Sequence, residues 1–168
     1  VAMEVSSHSL DQRRIDGLAF DAAVFTNLTR DHLDYHHTME AYFQAKARLM
    51  EYLQPEGTAV VNIDDSNWST LPDSRKKIHF GISPRAEVRA TDVKFSPSGS
   101  DWNLRYRSES VPVKLPLIGD VNVHNALGSA AVGITFGLSL EEIAASLAKL
   151  PQVPGRLEVI SRRPTVLR

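Results

Sequence analysis

Residues 20–53 read FDAAVFTNLTRDHLDYHHTMEAYFQAKARLMEYL. The opening FDAAVFT is a continuous apolar run of strand length, the pattern of a strand buried on both faces of a parallel sheet. A polar stretch from Asn27 to His37 follows. Residues 38–53 then place Met39, Tyr42, Phe43, Leu49, Met50 and Leu53 at three-and-four spacing, which predicts an amphipathic helix. Thr38 suits its N-cap, and Glu40 suits the positive end of its dipole. Strand, polar loop and helix in succession are the signature of an α/β unit.

Working outward, the run VAMEVS at residues 1–6 predicts an earlier strand. After Gly57 the run TAVVNID predicts a third, and KKIHFGI at residues 76–82 a fourth. The expected fold is therefore α/β, a mostly parallel central sheet flanked by helices. From about residue 87 to 118 the pattern alternates polar and apolar around SPSGS, as in antiparallel hairpins, and predicts a small antiparallel β subdomain. Residues 123–136 read as an Ala- and Gly-rich helix closed by Gly137. Ser139 to Glu142 has the form of a capping box opening a last helix that stops before Pro151. Residues 1–150 thus form one expected domain. PQVPG at 151–155 reads as a linker, and GRLEVI begins a further strand within 151–168.

At 168 residues the chain is long enough to bury roughly 70% of its unfolded surface. Nineteen Lys and Arg against twenty Asp and Glu leave a net charge of −1, which gives no support for bulk nucleic-acid or membrane-surface binding. The absence of cysteine excludes disulfides and thiolate metal sites. No apolar run approaches the ~20 residues of a membrane span. A soluble, cytoplasmic, monomeric protein is expected.

Three polar clusters lie where an open α/β sheet places its ligands, after strand ends: residues 4–8, 26–34 and 62–65. Glu4, His32 and Asp34 offer oxygen and imidazole groups suited to Mg²⁺ or Mn²⁺. Alternatively, Asp31 or Asp34 caps a helix and His32 is an ordinary loop residue. Lys46 falls within the apolar stripe, three residues after Phe43. It must snorkel, find an anionic partner or lose its charge, and a neutral lysine amine is a nucleophile open to modification. Asn122 and Asn125 could cap a helix or read a base edge. Arg156 is either an exposed linker residue or a contact to a phosphate or ribose. His36 and His37 read as solvated loop residues. No Gly-Lys-Ser/Thr loop occurs in the chain.

Five stretches in order, MEVSSHSLDQRR, TNLTRDHLDYHHTMEAYFQAKARL, VVNIDD, NVHNALGSAA and PGRLEV, resemble the Mur ligase family. Within it they most closely resemble the UDP-N-acetylmuramoyl-tripeptide synthetases. The resemblance implies an ATP-dependent amide ligase. It would activate the D-glutamate carboxylate of UDP-MurNAc-L-Ala-D-Glu as an acyl phosphate and transfer it to meso-diaminopimelate or L-lysine, in peptidoglycan biosynthesis. It further implies that Lys46 is N-carboxylated and holds Mg²⁺ together with Glu4 and His32. By the same resemblance Ser6, Gln12 and Arg14 contact the UDP-muramoyl dipeptide, and Asn125 and Arg156 contact the nucleotide. Asn27 and Asp34 lie within these motifs. The family's P-loop is expected before Val1 and most of its C-terminal domain after Arg168, so the 168-residue chain is expected to be inactive alone. DVNVHN carries valine where the family has an aromatic residue. The alternatives are another Mur or folylpolyglutamate-type ligase, a non-catalytic binding module retaining the fold, or a metal-dependent hydrolase using His32 and Asp34.

Overall fold

The computed structural model describes residues 1–73, 76–152 and 154. The chain divides into two compact units, Val1–Ile78 and His79–Arg168. In the first, a short helix α1 (Ser7–Asp11) precedes β1 (Phe20–Phe25). A crossover follows, through α2 (Leu33–His36), α3 (Met39–Ala47) and a 3-10 turn, Arg48–Tyr52. It returns the chain as β2 (Leu53–Asn62), parallel to β1. Thr38 caps α3 as expected, its hydroxyl accepting from Ala41 N at 3.1 Å. Residues 57–62 are buried without interruption, the both-faces burial that their apolar run implied. Phe25, Phe43, Met50, Val61 and Trp68 share one core cluster in this unit.

Three details depart from the expected elements. Residues 1–6 are coil rather than strand, with Val1 and Met3 exposed. A strand exists through ladder bonds to a neighbour, and none is made to this run among the described residues. The helix expected over 38–53 is α-helical only to Ala47 and then tightens, because Leu53 is already extended and paired with Phe20. β2 starts ahead of Gly57 and is irregular between the Phe20–Leu53 and Ala22–Thr58 pairs. Pro55, which has no N–H to donate, falls in that gap. A Cβ on Gly57 would lie 2.9 Å from the Phe20 carbonyl oxygen, so the close approach of the two strands requires glycine there.

In the second unit the end of β3 (Lys76–Gly81) is parallel to β4 (Val88–Ser96) over two pairs only, Phe80–Val88 and Gly81–Arg89. The tight return is held by Glu87, whose N–H donates to His79 O and whose carboxylate accepts from His79 N, each at 3.0 Å. β4, β5 (Gly99–Tyr106) and β6 (Glu109–Leu115) form an antiparallel meander. The first hairpin turns between Ser96 and Gly99, within the expected SPSGS segment. α4 (Asp120–Thr135) packs on β4, and α5 (Leu140–Leu147) packs on β5, β6 and α4. Gly137 adopts φ 81° just past α4, and Ser139 and Glu142 complete the capping box of α5.

A parallel pair joined through helices, a second parallel pair joined by a tight return and an antiparallel region make up the α/β class expected from the sequence. Among the described residues no helix is long and apolar enough to cross a membrane. Residues 153 and 155–168, which include the whole of the expected final strand and Arg156, lie outside the described residues.

Candidate active site

The loop after β1 is fastened to the turn after β2. Leu28 N donates to the Asp65 carboxylate at 2.5 Å, and the Asn67 amide donates to Leu28 O at 3.3 Å. Asp65 also accepts from the Asn67 backbone and side chain, at 3.0 and 2.7 Å. Asn62 accepts from Asp64 N at 3.0 Å. The polar cluster at 62–65 therefore braces the loop that leads to His32.

At the end of that loop His32 occupies the N-cap position of α2 with a left-handed backbone, φ 55°, and makes no side-chain cap bond. Asp31 accepts from His32 N at 2.8 Å, and its other oxygen lies 3.5 Å from the His32 ring. Asp31 rather than Asp34 thus binds the turn. Asp34 is exposed in the first turn of α2.

Lys46 is half-buried on α3, with Nζ 5.3 Å from the centre of the Tyr42 ring one turn earlier. Burial pulls its amine below the ordinary lysine value, while Asp31, Glu4 and Asp65 lie close enough to push it back up. The His32 ring stands edge-on to the same Tyr42 ring at 6.0 Å. Tyr42 is buried, and burial, with Asp31 adding, pushes its hydroxyl up. Lys46 and His32 therefore share one aromatic wall, with Asp31, Glu4 and Asp65 as the carboxylates that act on the lysine charge. Glu4 is exposed in the N-terminal coil. Among the described residues no group of three His, Cys, Asp or Glu is placed to hold a metal ion.

Ser6, Gln12 and Arg14 lie at the ends of α1. Ser6 is its N-cap, accepting from Ser9 N at 3.1 Å, and Gln12 is its C-cap residue. The Arg14 side chain is exposed. The first residue of α1, Ser7, is fully buried, and its hydroxyl lies 2.9 Å from His36 Nε2. His36 is only 7% exposed, which corrects its reading as a solvated loop residue. Burial lowers its pKa below the ordinary histidine value, and His8 adds to the shift. The one available signal was its position four residues after His32, on the same side of a helical turn. His37 is exposed, at φ 63°.

In the second unit the N-cap of α4 is Gly119, so neither asparagine caps the helix. Asn122 instead donates to Ile118 O at 2.8 Å. Asn125 is exposed on the second turn, as is Asn27 on its loop in the first unit.

Residues 1–133 match the family described as the Mur ligase middle domain. The UDP-N-acetylmuramoyl-L-alanyl-D-glutamate--2,6-diaminopimelate ligase of Synechococcus elongatus is 43% identical over 159 residues, which cover 93% of this chain and 32% of that protein. The enzyme of the same name from Geobacter sulfurreducens is 45% identical over 166 residues, covering 94% of this chain and 33% of that protein. A solved structure of a ligase of that name superposes with a TM-score of 0.82 at 34% identity, covering 91% of this chain and 33% of that one. The chain spans about a third of the length of the curated relatives it matches.

Proposed function

The chain belongs to the Mur ligase family, and from that premise we propose that it forms most of the central domain of an ATP-dependent ligase adding a diamino acid to UDP-MurNAc-L-Ala-D-Glu. The names of the relatives at 43% and 45% identity favour meso-diaminopimelate over L-lysine. An oxygen of the D-glutamate carboxylate attacks the γ-phosphorus of ATP, and the bond to ADP breaks. The amine nitrogen then attacks the acyl carbon, the C–O bond to phosphate breaks, and the amine loses a proton. The work takes place in the cytoplasm, a reading with which the lack of cysteine agrees.

The observation that carries this reading is the setting of Lys46. Half-burial makes the neutral amine easier to reach than on an exposed lysine, against the opposing pull of Asp31, Glu4 and Asp65. Its lone pair can attack carbon dioxide, and loss of the N–H proton leaves a carbamate anion. Glu4 and His32 would supply two of the ligands for Mg²⁺, and a carbamate on Lys46 would supply an anionic oxygen as the third. Bound there, Mg²⁺ would offset charge on the transferring phosphoryl group. Ser6, Gln12 and Arg14, grouped at α1, would hold the UDP-muramoyl dipeptide. Asn125 and Arg156 would contact the nucleotide. The expected domain limit near residue 150, with 151–168 leading to a further domain, belongs to the same reading.

In a full-length ligase containing this chain, ADP release from UDP-MurNAc-L-Ala-D-Glu is expected only when the diamino acid is present. No such release overturns the assignment. Lys46→Arg is expected to lower turnover by at least about 10²- to 10³-fold, the scale of losing one pre-set electrostatic group. Short carboxylic acids are expected to restore part of the activity of Lys46→Ala. Near-wild-type turnover of Lys46→Arg removes the carbamate from the mechanism.

A further inference from the structure

Two consecutive residues of α2 grip both ends of α1. His36 Nε2 meets the hydroxyl of Ser7, the first residue of α1, at 2.9 Å. The Tyr35 hydroxyl donates to the carboxylate of Asp11, the last residue of α1, at 2.7 Å. The same hydroxyl accepts from Gln12 Nε2 at 3.3 Å. One hydroxyl proton and one lone pair are thus both in use, which fixes the polarity of the relay from Gln12 through Tyr35 to Asp11. Gln12 gives one N–H to Tyr35 and keeps its carbonyl oxygen and second N–H for a ligand.

α2 is a single turn, and its other end is His32. The N–H groups of Tyr35 and His36 both donate to His32 O, at 3.2 and 2.9 Å. The His8 ring, from α1, fills the angle between them. It lies 4.2 Å from Tyr35, 4.9 Å from His32 and 5.5 Å from His36. A shift of α1 therefore breaks contacts to the same turn that carries His32.

We propose that Tyr35 and His36 are positioning residues: they hold Gln12 and Ser6 in place for the UDP-muramoyl dipeptide, so the turn that begins at His32 also braces this grip. Neither needs to touch a substrate to do so. Tyr35 acts through Gln12, and His36 acts through Ser7, the neighbour of Ser6. The proposal rests on the function assigned above. It adds a residue-to-residue coupling which that assignment does not require.

The test is steady-state kinetics of Tyr35→Phe in a full-length ligase containing this chain. The ring and its packing on His8 remain while the relay loses its centre. KM for UDP-MurNAc-L-Ala-D-Glu is expected to rise several-fold, up to about tenfold, the scale of one lost hydrogen bond. KM for ATP, kcat and melting temperature are expected to stay near wild type. In a Gln12→Ala background the same substitution is expected to add little, because its effect passes through Gln12. His36→Leu is expected to raise the same KM, with His36→Gln retaining more affinity; if either fails to fold, Tyr35→Phe still decides. An unchanged KM in Tyr35→Phe, an equal rise in KM for ATP, or full additivity with Gln12→Ala overturns the proposal while the ligase assignment stands. A wild-type enzyme without diamino-acid-dependent ADP release overturns both.

Discussion

Asp92 combines a left-handed backbone, φ 56°, with a place inside β4, at the irregularity of its pairing with β5 between Thr91 and Lys94. Its carboxylate accepts from Asn103 Nδ2 at 2.9 Å and Thr91 Oγ1 at 3.0 Å. These bonds, Asn103 first, hold its pKa below the usual 3.8. The fold therefore favours the ionised form. As pH falls below about 3.8 the unfolded chain takes up this proton before the folded one, so stability drops until the folded-state value is passed. Asp92→Asn keeps a residue tolerant of the left-handed region. It is expected to flatten this part of the acid limb, read as a smaller loss of urea midpoint between pH 5 and about pH 3 than in wild type. Lys46 differs in kind. The periodicity of residues 38–53 marked its position in an apolar stripe, but the carboxylates acting on it, Asp31, Glu4 and Asp65, arrive from segments 15, 42 and 19 residues away in sequence. The spacing within one helix carries no information about them.

Among the elements, those closed by short-range chemistry were legible in the sequence. α5 starts at Ser139, whose hydroxyl accepts from Glu142 N at 3.2 Å while Glu142 accepts from Ser139 N at 2.9 Å. Ser139→Ala is expected to remove about 1 kcal/mol, seen as a melting temperature lower by a few degrees in calorimetry. An unchanged melting point would mean that packing on β5 and β6 alone sets this helix. Thr38 before α3 and Gly137 after α4 follow the same local logic. Elements defined by partners did not. Residues 1–6 have strand composition and no ladder among the described residues, and the helix expected to reach Leu53 yields to the pairing of Leu53 with Phe20. At α4 the asparagines suggested a cap, yet the chain turns at Gly119, φ 98°, and Asn122 reaches back to Ile118 O.

For the molecule as a whole, each unit depends on its own buried side chains. Leu104 on β5 has no exposed surface and sits in the second unit, where α4 and α5 cover the meander. Leu104→Ala is expected to cost about 2–5 kcal/mol through lost transfer energy and the cavity left behind, measured as a lower urea midpoint with an unchanged slope. By itself the sequence determined the α/β class, the antiparallel meander, the caps of α3 and α5 and the family resemblance. Each rests on patterns within a few residues, or on motifs in order. Only the tertiary structure decided that His36 is buried against Ser7, that Tyr35 links Asp11 to Gln12, and that Lys46 and His32 share the Tyr42 ring. The physical reason is range: turns and caps are closed by neighbours along the chain, whereas burial and pairing depend on which distant segment folds back to meet a side chain.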